Sequence, residues 1–70
     1  MKRKRYGHLR YNPESRRYVL DGWELHCGDA FEVLINDEWI GTRIEMTGSN
    51  WYLIGLALDT LAGLEARSYE

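Results

Sequence analysis

Between residues 18 and 53 apolar and polar positions alternate with a period of two, as in strands with one buried and one solvated face. Three short turn signals divide this stretch into hairpins. Asp21-Gly22, as a two-residue turn with positive φ at both positions, sets Leu20 against Trp23 and Tyr18 against Leu25. Val19, Glu24 and His26 then take the opposite face. A turn at Asp37-Glu38 sets Ile35 against Ile40, Val33 against Thr42 and Phe31 against Ile44, with Glu32 facing Arg43 across the outer side as an opposite-charge pair. Gly48-Ser49 carries glycine first, as a type II′ turn requires, and sets Met46 against Trp51 and Ile44 against Leu53. All three registers place apolar residues on one inner face, and a one-residue slip in any of them would scatter that set.

Asn12-Pro13-Glu14-Ser15 predicts a type I turn joining a strand near residues 7–11 to one near residues 17–20. Downstream, residues 56–64 lose the alternation. Asp59-Thr60 ahead of Leu61-Ala62-Gly63 predicts one helical turn stopped by glycine, and a last strand follows over residues 64–69. The pattern predicts an all-β chain: a small, curled, SH3-like barrel of five to six antiparallel strands with one short helical turn before the last strand. An open sheet with a longer C-terminal helix is the alternative.

The 70 residues hold one small core and too little chain for a second domain. Residues 6–70 are read as a single domain and residues 1–5 as a basic arm. Cys27 is the one cysteine, so no internal disulfide and no paired-cysteine zinc site can form, and the chain reads as reduced and cytoplasmic. The basic start is followed by Tyr6, Gly7, His8 and Arg10, not by an apolar stretch, so neither export nor membrane insertion is expected.

The formal charge of −2 conceals two segments of opposite sign. Residues 1–17 carry seven bases against one acid, a net +6, and residues 18–70 carry two bases against ten acids, a net −8. Such asymmetry points to a basic arm for a polyanion, to an arm resting on its own acidic body, or to an acidic body that meets a basic partner.

The run from Glu24 to Val33 (ELHCGDAFEV), then Trp39, then Thr42-Arg43-Ile44-Glu45, then Trp51-Tyr52-Leu53-Ile54-Gly55 resembles a family of short bacterial proteins of unknown function. These are encoded largely on phages and conjugative elements. The likeness covers about residues 16–67 and leaves the basic start outside. It implies a mobile-element context in a bacterial cytoplasm, where small proteins often bind host machinery, and it brings no activity and no site residues with it.

Candidate chemistry is sparse. Cys27 beside His26 suggests a nucleophile and base, but neighbours on a strand point to opposite faces unless Gly28 turns the chain. The plainer expectation makes Cys27 a small inward hydrophobe and His26 an exposed partner of Arg17. His8, His26, Cys27 and Asp29 lack metal-site spacing, and there is no phosphate loop or nucleophile elbow. No enzymatic activity, cofactor or metal is therefore expected.

Nine aromatic rings in 70 residues are the stronger clue. The registers turn Tyr18, Trp23, Phe31 and Trp51 inward, and Trp39 and Tyr52 outward beside Leu34, Ile54 and Leu56, with Glu32, Arg43 and Glu45 as a rim. Such a patch suits a protein partner through Trp39, Tyr52, Arg43, Ile54 and Leu34. Alternatively, the N-terminal strand or residues 56–64 fold over it. The arm, with Lys2, Arg3, Lys4, Arg5, Tyr6 and Arg10, suits phosphates and a stacked base. The expectation is thus a non-enzymatic interaction module. Its alternatives are a nucleic-acid accessory protein using the arm and an antagonist of host defence acting by nucleic-acid mimicry.

Overall fold

The turns decide the fold, and two of the three central ones lie where the pattern puts them. The computed structural model describes residues 4–69. β3 (Arg17–Leu20) and β4 (Trp23–Glu24) flank Asp21-Gly22, both at positive φ, with Leu20 opposite Trp23. Pairing ends with the Leu25 amide donating to the Tyr18 carbonyl, 2.9 Å. β6 (Glu38–Thr47) and β7 (Asn50–Leu53) flank Gly48-Ser49, with Met46 opposite Trp51 and Ile44 opposite Leu53.

The middle hairpin differs by one turn position. β5 (Ala30–Ile35) pairs with β6 so that Ile35 faces Glu38, Leu34 faces Trp39 and Val33 faces Ile40. The turn is Asn36-Asp37, not Asp37-Glu38, because both central residues take positive φ, 52° and 64°. Asn and Asp tolerate that region and Glu does not. The partners shift by two residues, so the inner face is kept and the outer pairs change: Glu32 faces Gly41, and Arg43 faces Ala30.

β1 (Lys4–His8) pairs antiparallel with β8 (Glu65–Tyr69), and β8 meets β5 at Glu32 opposite Arg67 and Val33 opposite Ala66. The large sheet therefore runs β1-β8-β5-β6-β7. The chain bends at Leu9 into β2 (Arg10–Asn12), which pairs with β3 and starts the second sheet, β2-β3-β4. Between Asn12 and Arg17 lies a four-residue loop, longer than the expected turn, closed by the Arg16 amide on the Asn12 carbonyl, 2.7 Å.

The fold is all-β and antiparallel, with two corrections to the expected SH3-like barrel. The large sheet is open, its edges β1 and β7 unjoined. No helix forms among the described residues: residues 62–63 make a single turn, closed by the Leu64 amide on the Leu61 carbonyl, 3.2 Å, and Gly63 and Leu64 are tied to Leu9. The Gly63 amide donates to the Leu9 carbonyl and the Leu9 amide to the Leu64 carbonyl, both 2.8 Å. Residues 56–64 are an irregular strap that brings Leu56, Leu58, Leu61 and Leu64 against the core. The core lies between the large sheet's inner face, the small sheet and the strap: Leu9, Leu20, Leu25, Phe31, Val33, Ile44, Leu53, Leu61 and Ala66, with Tyr18, Trp23 and Trp51 against it as expected.

Candidate functional site

Alternation along the strands of the large sheet sends Lys4, Tyr6 and His8 of β1, Arg67 of β8, Glu32 and Leu34 of β5, and Trp39, Gly41, Arg43 and Glu45 of β6 to the outer face. Tyr52 of β7 stands opposite Glu45, and Ile54, just past β7, donates its amide to the Arg43 carbonyl, 3.0 Å. All five residues expected at a partner surface, Leu34, Trp39, Arg43, Tyr52 and Ile54, thus share one face.

They are not equally open. Leu34 and Trp39 are a direct cross-strand pair, and Trp39 is half covered. The Arg67 guanidinium lies over its ring at 4.1 Å, and the edge of Tyr6 meets it at a centroid distance of 6.4 Å. Glu32 fixes the guanidinium through a 2.7 Å hydrogen-bonded ion pair from Nε. The N-terminal strand lies within the sheet beside β8 and reaches the patch only through the Tyr6 side chain, whereas residues 56–64 lie on the other side of the sheet. Leu56 accordingly packs on the core and leaves the patch. Tyr52 and Ile54 stay open, 41% and 46% exposed.

Beside the Trp39–Arg67–Glu32 stack, Gly41 has no side chain to raise the surface, and a shallow trough of about 640 Å³ opens over it. Ala30, Glu32, Arg43, Ile54 and Arg67 wall it, with edges of Phe31, Thr42 and Ser68 exposed within. A Cβ on Gly41 would meet nothing within 4 Å, and its φ is not positive, so neither packing nor conformation demands glycine there. The Arg43 Nη1 donates to the Gly28 carbonyl, 3.0 Å. The charges on this face are mixed in sign, Glu32, Glu45 and Glu65 against Lys4, Arg43 and Arg67.

The reactive side chains are arranged otherwise than expected. Cys27 is exposed, not an inward hydrophobe. Alternation stops after Glu24 and residues 26–29 form a turn, with Gly28 at φ 91° and the Asp29 amide on the His26 carbonyl, 3.0 Å. Asp29 Oδ2 accepts the His26 amide at 2.7 Å and lies 3.8 Å from His26 Nδ1. Arg17 reaches the Leu25 carbonyl at 3.3 Å and so does not partner His26. No cluster of three potential metal ligands occurs among the described residues.

Lys2 and Arg3 of the expected arm lie outside the described residues. Lys4, Arg5 and Tyr6 are strand residues opposite Tyr69, Ser68 and Arg67. Alternation splits them: Arg5 turns inward, its Nη1 on the Asp21 carbonyl at 2.8 Å and its guanidinium 5.8 Å from the Trp23 ring. Tyr6 donates its hydroxyl to Glu65. That bond first, then desolvation and the Glu65 charge, push the phenol pKa up. Arg10 is exposed on β2. In the small sheet the Glu24 carboxyl is held below its usual range by Ser15 first and then by the Asn12 amide, with Arg17 and His26 adding charge. Ser15 Oγ makes no regular hydrogen bond and acts as a nearby dipole, so the Asn12 bond, at 3.1 Å, is the directional contact.

Gly41, Ala30 and Arg67 belong to the site and escaped the sequence reading. The Glu32–Arg67 pairing spans strands with no connecting turn to set their register, whereas Gly41 in the middle of an otherwise bulky strand was a legible signal.

Among known proteins, a family model described as a domain of unknown function, DUF5348, matches residues 7–68. A crystal structure of a protein from Ruminococcus gnavus, a structural genomics target, superposes with a TM-score of 0.75 at 40% identity, covering 94% of this chain and 100% of that one. No curated protein matches the chain. No helix among the described residues is long and apolar enough to cross a membrane. The trough, its arginines and the stack over Trp39 thus sit on a chain that belongs to the DUF5348 family, a domain of unknown function.

Proposed function

We propose that this chain is a non-enzymatic interaction module that docks a segment of a protein partner in the trough over Gly41, between Ile54 and the Trp39–Arg67–Glu32 stack. The observation that carries the reading is Gly41 itself. A glycine in mid-strand costs roughly 0.5–1 kcal/mol relative to alanine, and at this position no turn, positive φ or close neighbour requires one. What the missing side chain provides is space, bordered by the exposed Ile54. The setting we propose is the reducing cytoplasm of a bacterium, in a protein of mobile-element origin, with the lone exposed Cys27 in keeping with such a compartment. Nucleic-acid mimicry gains no support from a face of mixed sign, and the arm's split between two faces of β1 favours no continuous phosphate track.

Gly41→Val tests the reading, because it fills the trough with a good strand former and leaves the fold at least as stable. Affinity capture from a nuclease-treated bacterial lysate is expected to retain a partner on the native chain and on Arg10→Ala, and to lose it on Gly41→Val while the denaturation midpoint of that variant rises. Capture that survives Gly41→Val, or that vanishes with nuclease, overturns it.

A further inference from the structure

We infer that the docked segment carries a carboxylate beside an apolar side chain, the carboxylate paired with Arg43 and the apolar group seated over Gly41; this rests on the docking reading above. Two guanidinium groups border the trough, and they differ in what they already hold. Arg67 is neutralised by Glu32 at 2.7 Å and lies flat on Trp39. Arg43 has no carboxylate within ion-pair distance among the described residues, although Glu45 shares its strand and face.

Its hydrogen bond to the Gly28 carbonyl holds the guanidinium in place without cancelling its charge. Four of its five N–H donors remain for a ligand, in the planar fork that matches a carboxylate. A fixed, unpaired cation on the wall of a largely apolar trough is complementary to an anion attached to something apolar. The volume, about 640 Å³, suits a few side chains of an extended segment. The basic partner expected from the −8 body would set its cation against Arg43, and Glu32, the acid that lines the trough, is occupied by Arg67.

The test is selection of random heptapeptides displayed on phage against the full folded chain. A synthetic peptide of the selected consensus is then titrated by amide chemical shifts against the native chain, Arg43→Gln and Gly41→Val. The expected consensus is Asp or Glu adjacent to Leu, Ile or Val, shifting the amides of Ala30, Gly41 and Ile54, with binding weakened about fivefold by Arg43→Gln and abolished by Gly41→Val. Arg43 is exposed and Gly41→Val fills open space, so neither variant fails by unfolding. No enrichment overturns the acidic occupant. So does a basic or purely apolar consensus, or binding indifferent to Arg43→Gln; if Gly41→Val abolishes the binding of such a peptide, the docking reading stands. Binding indifferent to Gly41→Val overturns both.

Discussion

Trp51 shows how a single side chain can tie two sheets. Its Nε1 donates to the Arg16 backbone carbonyl, 2.9 Å away, joining edge strand β7 to the loop before β3. Arg16 sits at φ 60°, a region that disfavours residues with a Cβ by roughly 1–2 kcal/mol. Because the acceptor is backbone, the arginine side chain adds nothing to the tie. Arg16→Gly is therefore expected to raise stability by about 1 kcal/mol, and Trp51→Phe to lower it by about 1 kcal/mol through the lost hydrogen bond. Urea midpoints at unchanged slope check both. At this scale the sequence was readable where local chemistry decides, as at Gly22 and Gly48. It was not where a tertiary contact decides: Cys27 is exposed because the turn around it is fixed against Ile44, whose carbonyl accepts the Gly28 amide and whose amide donates to the Asp29 carbonyl, and Leu56 is half-buried because the strap crosses the core.

Elements joined by two-residue turns were legible to the register, because such a turn leaves few choices of pairing. The Asn36-Asp37 hairpin was displaced by one position since two adjacent turns were both compatible with the alternation, and only the tolerance of Asn for positive φ separates them. Strands β1, β8 and β5 meet across long sequence separation, so the Glu32–Arg67 pair and the cover over Trp39 had no local signature. Asp59-Thr60 ahead of a glycine stop at Gly63 predicts one helical turn in the strap, but Gly63 at φ 89° ends only a single turn, and its amide goes to Leu9. The packing of the strap makes it a structural element all the same. Leu61 is 5% exposed, in the same core as Leu53 of β7. Leu61→Ala is expected to cost about 2–4 kcal/mol, as much as Leu53→Ala, whereas an ordinary loop substitution costs under about 0.5 kcal/mol. For a domain this small that is a large share of the total, and equilibrium denaturation of the two variants side by side reads it directly.

For the whole molecule, an open sheet still closes around one core. The radius of gyration is 11.3 Å, against about 11 Å for a compact chain of this length. Different side-chain clasps hold its parts, and they titrate at opposite ends of the pH scale. Glu24 ties β4 to the end of β2 through Asn12, and its folded pKa lies below the ordinary 4.5. Its contribution is present above that value and is lost as pH falls through the depressed one. Tyr6 ties β1 to Glu65 of β8, and its folded pKa lies above the ordinary 10.0, so its contribution is present below that value and is lost as pH rises through the raised one. The stability gap between the native chain and Glu24→Gln should therefore shrink on acidification below about 4.5, and the gap to Tyr6→Phe should shrink on alkalinisation above about 10. Native-state hydrogen exchange adds the location: acid should release amides of β2–β4 first, and alkali those of β1 and β8. The Trp39 ring is met by Tyr6 of β1, so alkali should expose that ring while the Glu32–Arg67 pair holds the rest of the stack. Constant gaps across both pH ranges would mean that backbone pairing and the core alone hold these strands.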